Sequence, residues 1–454
     1  MAAENTREIV LDMLLAVERK ETFSHHIVRD VLTKYDYLSG QEKAFIKRMF
    51  EGTLERRMEI DYYINQVSSL PVSKMKPLIR NLLRMGSYQI LYMDSVPDAA
   101  AVSEAVKLAG KRRFFNLKGF VNGVLRKLSA GKEQLKLPSK ENEPEEYLSV
   151  AFSMPLWLTR HFLSLYSYDK TKRIAEGLLE ARPVTIRFRQ SLMDEQIEAL
   201  IAGFREKGIT VCRHPFVEEA YYLENCENPA MLPGYGEGCF TMQDASSMLA
   251  VMAAGIKPGD SVLDVCAAPG GKTLLAAEYA GNKGRVWARD ISERKVSLIE
   301  ENVKRMGLSN VEIKVWDAAR PDPVMQDRAD VVIADVPCSG LGVIGRKNDI
   351  KYRQTPEAIK EIAALQKEIV RQACACVKPG GVLLYSTCTI NPVENEDMAD
   401  WICRKFGYTL DSLTAFLPDM PEIKTAEKGY LQLLPGIHDT DGFFFARLVK
   451  SKNG

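Results

Sequence analysis

Apolar residues recur at helical spacing through the first 130 positions. In residues 7–20, Ile9, Val10, Met13, Leu14 and Val17 fall on one face of a predicted helix. The same period runs through residues 41–65, 77–92 and 98–110, with few strand signals between them. Residues 1–130 are therefore expected to form an all-α domain. Residues 131–147 are polar, contain two prolines and lose the period, which marks a linker. Residues 148–238 mix the two periods: a helical segment over 154–179, a strand at 184–188, a helix over 194–207 opened by acidic residues, and a strand at 209–212. A small α+β module, RRM-like in its order of elements, is the economical reading, with Gly234, Gly236 and Gly238 at its far edge.

From residue 239 to 454 the pattern alternates. Apolar runs at 262–265, 286–290, 311–317, 331–335 and 382–387 read as strands. Amphipathic stretches at 293–306 and 355–377 read as helices, the second stopped by Pro379-Gly380-Gly381. This order predicts a doubly wound, Rossmann-like α/β sheet at the end of a multidomain chain.

In such sheets ligands gather at the carboxyl ends of the strands. The first strand runs into Asp264-Val265-Cys266-Ala267-Ala268-Pro269-Gly270-Gly271-Lys272-Thr273 and then a helix. Pro269 fixes φ, and Gly270 and Gly271 let the backbone approach a ligand. Gly271-Lys272-Thr273 matches the end of a phosphate loop, but Cys266 stands where that loop requires its first glycine. So few glycines suit a ligand without pyrophosphate, such as S-adenosylmethionine. A phosphate loop and an ordinary strand-to-helix connection remain as alternatives for the turn alone. Asp290, Asp317 and Asp335 close later strands. Asp290 is placed to accept hydrogen bonds from ribose hydroxyls and Asp317 to face the adenine edge, although an aspartate at such a position also serves as a helix cap or turn former.

Composition narrows the picture. The 454 residues are 46% hydrophobic and 27% charged, enough for several globular domains. No apolar run reaches the ~18 residues of a membrane span, and charges interrupt the first residues where a signal peptide would be unbroken. A cytoplasmic protein without a membrane partner is expected. The nine cysteines, none before Cys212, do not read as a disulfide framework, and Cys374-Ala375-Cys376 has no second pair at zinc spacing, so no metal is assigned. Net charge is +1, yet residues 107–132 carry eight Lys/Arg and no acid, with Phe114, Phe115 and Phe120 interleaved. Such a stretch attracts phosphates and stacks on unpaired bases. It equally describes a solvated basic face over a core that holds the phenylalanines.

A pair of cysteines carries the sharpest chemical signal. Cys338 lies in Asp335-Val336-Pro337-Cys338-Ser339-Gly340 and Cys388 in Ser386-Thr387-Cys388-Thr389, at strand ends expected to be neighbours. Carbon 5 of a pyrimidine is a poor nucleophile until a thiolate adds to carbon 6. A second acid or base then assists the later proton transfers. A thiol with the usual pKa of about 8.5 needs electrostatic help to ionise at neutral pH.

Two resemblances join these readings. Residues 5–130 resemble the NusB family of RNA-binding helical domains in Arg84-Met85-Gly86-Ser87-Tyr88, Val96-Pro97, Glu104-Ala105-Val106 and Phe120-Val121-Asn122-Gly123-Val124-Leu125. The glycine turn, the two cysteine motifs, Asn391-Pro392-Val393-Glu394-Asn395-Glu396 and Asp441-Gly442-Phe443-Phe444 resemble the RNA 5-methylcytosine methyltransferases of the Sun/NOP2 family. That resemblance implies Cys388 as nucleophile and Cys338 as the group assisting product release, an order that spacing alone leaves open. It implies S-adenosylmethionine contacts at Cys266, Ala267, Ala268, Pro269, Gly270, Gly271, Lys272, Asp290, Asp317 and Asp335, with a role toward cytosine also open to Asp335. It further implies small-subunit (16S) ribosomal RNA as the partner, no DNA, and a monomer. Arg187-Phe188-Arg189 departs from the family's Arg-Val-Asn, which leaves an RNA contact by Arg189 in doubt. The alternative function is a NusB-type RNA-binding assembly factor with an idle methyltransferase fold.

Overall fold

Helices follow the apolar period through the N-terminal part of the chain. In this computed structural model the described residues are 5–19, 22–180, 182–226, 228–420 and 423–452. They fall into two units: Met1–Glu180 with Ile344–Arg353, and Ala181–Val343 with Gln354–Gly454. Among the described residues no helix is long and apolar enough to cross a membrane.

The first unit is helical. The first predicted helix is Thr6–Glu18, capped by the Asn5 side chain, which accepts from Arg7 N at 2.9 Å; Lys20, its expected end, lies outside the described residues. The helical pattern over 41–65 is divided between two helices, Gly40–Glu55 and Arg57–Val67, parted at Arg56. Ser39 and Glu42 close a capping box at the start of the first of these. Helices Pro77–Tyr92, Asp98–Lys111 and Lys118–Ala130 complete the core around Ile46, Met49, Phe50, Leu82, Leu83 and Leu125, all fully buried. Helices Gly40–Glu55 and Pro77–Tyr92 approach so closely that a Cβ at Gly52 would fall 2.0 Å from the Tyr88 hydroxyl. The polar stretch 131–147 is partly helical, because Pro144 opens a helix at Pro144–Ala151.

The segment Ile344–Arg353 folds with this unit. Asp349 is buried and its carboxylate accepts from Ser24 N at 3.1 Å, Ser24 Oγ at 2.5 Å and Arg353 Nε at 2.8 Å. Lys351 donates to Glu55 O at 2.8 Å, and burial pushes its ammonium down to about 7.

The second unit holds two sheets. Strands β1 (Val184–Phe188), β2 (Thr210–Arg213), β3 (Ala220–Glu224) and β4 (Phe240–Met242) form an antiparallel sheet in the order β2-β3-β1-β4. Strands β3 and β4 are additions to the expected elements, because neither carries a long alternating pattern. β4 lies beyond the glycines at 234–238 and pairs with β1. Helix Asp194–Glu206 covers this sheet, burying Phe204 against Phe188 and Phe240.

The larger sheet contains β5 (Ser261–Asp264), β6 (Arg285–Asp290), β7 (Val311–Val315), β8 (Ala329–Asp335), β9 (Val377–Thr387), β10 (Tyr408–Leu410), β11 (Tyr430–Leu433) and β12 (Phe443–Lys450). Its order is β10-β12-β9-β8-β5-β6-β7, with β11 also paired to β12. β5 to β9 are parallel neighbours, whereas β12 runs antiparallel to β9. The sheet is thus mixed, and its last three strands are additions to the expected elements, although β12 carries a mostly apolar run from Phe443 to Val449. Helix Pro356–Cys376 ends before Pro379-Gly380-Gly381, which lie inside β9 beside a register irregularity at Ala329 and Val331. Strand order reverses at β5, between β6 and β8, and this switch point is where a doubly wound sheet opens a ligand crevice.

Candidate active site

β5 delivers Asp264 to the switch point. The chain then turns through Gly270, whose φ of +113° favours a residue without Cβ, into helix Gly271–Ala280. Ala267 N donates to Arg289 O and Ala268 N to Asp290 Oδ2, both at 2.9 Å, so the end of β6 props the turn. Asp264 Oδ2 accepts from Thr273 Oγ1 at 2.7 Å, while its Oδ1 is buried without a partner. Burial pushes this carboxyl up to about 7, against the lowering effect of the Thr273 hydroxyl. The Cys266 thiol is likewise pushed up, by burial and then by the neighbouring aspartates.

A cleft of about 280 Å³ opens above the turn. Cys266, Ala267, Ala268, Pro269, Gly271, Lys272, Asp335 and Cys388 line it. The other expected residues stand behind or beside it. Gly270 supplies the backbone turn. Asp290 holds the turn in place, accepting from Ala268 N, from Ile291 N at 2.7 Å and from Lys295 Nζ at 3.1 Å. Asp317 follows β7 rather than ending it, and its Oδ1 accepts from Ala319 N at 3.0 Å in a turn. Cys338 sits behind Cys388.

Lys272 Nζ lies 2.8 Å from Asp335 Oδ2 and 4.9 Å from the Phe443 ring centroid. Ser386 Oγ donates to Asp335 Oδ1 at 2.8 Å. β8 and β9 are adjacent and in parallel register at Asp335 and Ser386, which brings the two cysteine loops together. Cys338 Sγ and Cys388 Sγ are 3.2 Å apart. The hydrogen bond with Cys388, and then burial, hold the Cys338 thiol well above its usual range. Among the described residues no group of three or more His, Cys, Asp and Glu side chains could hold a metal ion; Cys374 and Cys376 are buried on a helix.

Asp264, expected at the ligand end of the first strand, lines the cleft as well, and so do Gln243, Asp441 and Phe443, to which the sequence assigns no cleft role. Asp264, Asp441 and Phe443 belong to the motifs named above, but only the folded chain brings all four to one cleft. Gln243 is tied to a buried cation: Arg187 Nε donates to Gln243 Oε1 at 3.1 Å, and Arg187 pairs with Glu278 at 2.5 Å on helix Gly271–Ala280. The small sheet is thereby fastened to the helix that follows the glycine turn.

In the first unit, the basic stretch is half neutralised. Lys107 pairs with Glu104, Lys111 with Glu8, Arg112 with Glu8 and Asp12, and Lys132 with Asp98. Phe114 and Phe120 pack against the core, whereas Phe115 is 66% exposed. Arg126 is exposed on the last helix of this stretch, Lys118–Ala130.

A cleft at the switch point of a doubly wound sheet, walled by a glycine turn and by Asp264, is where such a sheet takes a cofactor, and the family match makes the protein an S-adenosylmethionine-dependent methyltransferase. Residues 251–449 match the family model described as 16S rRNA methyltransferase RsmB/F, and residues 4–130 match the NusB family. The "Probable ribosomal RNA small subunit methyltransferase B" of Bacillus subtilis is 32% identical over 461 residues, covering 99% of this chain and 100% of that protein. The "Ribosomal RNA small subunit methyltransferase B" of Klebsiella pneumoniae is 31% identical over 422 residues, 92% of each chain. A solved methyltransferase homolog protein from Pyrococcus horikoshii is 27% identical, with a TM-score of 0.57 over 67% of this chain and 97% of that one. The chain belongs to the RsmB/F family of 16S rRNA methyltransferases, with a NusB domain at its N-terminal end.

Proposed function

We propose that the protein methylates carbon 5 of a cytidine in small-subunit ribosomal RNA through a covalent bond between Cys388 and the base. The observation that carries this reading is the 3.2 Å approach of Cys338 and Cys388 at the wall of the glycine-turn cleft. Bound S-adenosylmethionine supplies an electrophilic methyl group. The turn from Cys266 to Lys272 would hold it, with the Asp264 carboxylate beside it in the cleft wall.

Cys388 Sγ, as thiolate, bonds to carbon 6, and the displaced electron pair makes carbon 5 nucleophilic toward the methyl group. The carbon 5 proton then passes to a base, the double bond re-forms and the sulfur–carbon 6 bond breaks, returning the thiolate. Cys338, kept protonated by its bond to Cys388 and by burial, donates a hydrogen bond to that departing thiolate. Asp335 can accept from the cytosine amino group, which uracil lacks, while Lys272 balances its charge. In the NusB domain, Lys118, Arg126, Lys127 and Phe115 offer phosphate and base contacts.

Replacing Cys388 with alanine tests the reading. Turnover should fall by on the order of 10³-fold or more, with S-adenosylmethionine affinity within about twofold. Retained turnover would remove Cys388 as nucleophile.

A further inference from the structure

The carboxylate of Glu394 is hydrogen-bonded to the Cys338 loop and, through Ser339, to the Cys388 loop. It is fully buried on the turn Pro392–Glu394. Its Oε1 accepts from Ser339 N at 2.8 Å and Gln366 Nε2 at 3.1 Å. Its Oε2 accepts from Ser339 Oγ at 2.5 Å and Asn391 Nδ2 at 3.0 Å. These four bonds come from neutral donors and satisfy both oxygens of the buried carboxylate.

The placement of those donors is specific. Ser339 follows Cys338, and Thr389 follows Cys388. Ser339 Oγ donates to Glu394 and therefore accepts from Thr389 Oγ1, 2.8 Å away. One carboxylate thus fastens the residue after the first cysteine directly and the residue after the second through a single hydroxyl. Gln366 adds a strut, donating to Pro337 O at 3.0 Å on the other side of Cys338. Gln354 Nε2 holds Ser339 O at 2.8 Å. The Cys338 loop is fixed before and after its sulfur, and Glu394 is the node where these bonds meet.

We infer that Glu394 is a positioning residue that keeps the Cys338 thiol against Cys388 Sγ, so that the RNA adduct can be released. The inference rests on the covalent reading above. Without Glu394, Cys388 still has its own strand to stand on, since β9 reaches Thr387 and Gly342 N donates to Cys388 O at 3.1 Å. The Cys338 loop loses the bonds from Ser339 N and Ser339 Oγ, keeping only those of Gln366 to Pro337 O and Gln354 to Ser339 O. Adduct formation therefore continues while release slows.

Glu394→Gln keeps the shape, but its amide nitrogen presents a donor to Ser339 or Asn391. The full-length protein carrying this change is incubated with S-adenosylmethionine and labelled unmodified ribosomal RNA, and denaturing gels measure RNA that stays attached to protein. Cys338→Ala is run alongside, and S-adenosylmethionine affinity and the melting curve report folding. The expected result is at least a tenfold loss of turnover, near-native cofactor affinity, and attached RNA accumulating in Glu394→Gln as it does in Cys338→Ala. Ser339→Ala, which loses the hydroxyl bridge but keeps the backbone donor, should accumulate less. It also stands in if Glu394→Gln does not fold; no accumulation in it would then overturn the inference. Native turnover in Glu394→Gln, or lost turnover without attached RNA while Cys338→Ala accumulates it, would overturn the role of Glu394 alone. Absence of attached RNA in every variant would overturn the covalent reading and this inference with it.

Discussion

Lys272 Nζ lies 2.8 Å from Asp335 Oδ2, joining the glycine turn to the loop that bears Cys338. The Lys272 side chain is 10% exposed and that of Asp335 30%, so the pair is partly screened. Its coupling should be about 1–2 kcal/mol, between an exposed and a buried pair. A double-mutant cycle of Lys272→Met and Asp335→Asn, read by chemical denaturation, measures it. Strict additivity of the two changes would contradict the pairing.

The raised carboxyl of Asp264 gives a pH dependence with a definite sign. Its folded value of about 7 lies above the ordinary one of 3.8, so the folded chain binds the proton more tightly than the unfolded chain. The group therefore costs stability as pH rises from about 4 to 7, and its effect is flat above that window. Ionisation also creates the charge that attracts an ammonium group. Affinity for S-adenosylmethionine should rise from about pH 6 to about pH 8 in the native protein, and Asp264→Asn should flatten that rise. Identical pH profiles in titration calorimetry would count against the assignment.

Two glycines predict opposite changes. A Cβ on Gly342 would stand 1.9 Å from Gly442 O, where Gly442 N also donates to Gly342 O at 2.9 Å. Backbone must move there, so Gly342→Ala should destabilise by about 2 kcal/mol or more. At Gly203, inside helix Asp194–Glu206, an added Cβ would meet nothing within 4 Å. Gly203→Ala should stabilise by about 0.5–1 kcal/mol. Denaturant midpoints compare the two directly.

RNA binding separates the exposed basic residues from the ion-paired ones. Joint replacement of Arg126 and Lys127 by alanine should weaken RNA binding and lower the slope of log affinity against log salt by about 1 or more. Arg112→Ala, which mainly frees Glu8 and Asp12, should change that slope less. Equal effects would mean that the paired face contacts RNA as well.

Much of the fold is legible because its signals are local. The helices Thr6–Glu18, Gly40–Glu55, Arg57–Val67, Pro77–Tyr92 and Asp98–Lys111 and the parallel strands β5 to β9 announce themselves by period and by the glycine turn between β5 and its helix, whereas Ser24–Lys34 and Lys118–Ala130 lie outside the periodic stretches. Strands β3, β4, β10 and β11 do not, because each is short; β12 has a local, mostly apolar run from Phe443 to Val449, but its place beside β9, where Phe445 pairs with Ser386, comes only with the fold. The site divides in the same way. Cys338, Cys388 and the residues of the turn can be named from contiguous motifs. Asp290 and Asp317 stand at strand ends in the sequence, yet their carboxylates are taken up by the turn amide of Ala268 and by Ala319 N. The charge of residues 107–132 reads as unbroken only until Glu8 and Asp12 fold against it from about a hundred positions away.

The most direct test of the central claim is nucleoside analysis after transfer of labelled methyl from S-adenosylmethionine to unmodified small-subunit ribosomal RNA. Label in 5-methylcytidine, abolished by Cys388→Ala, is the expected result. Label in any other nucleoside, or 5-methylcytidine formed at the native rate by Cys388→Ala, would contradict it.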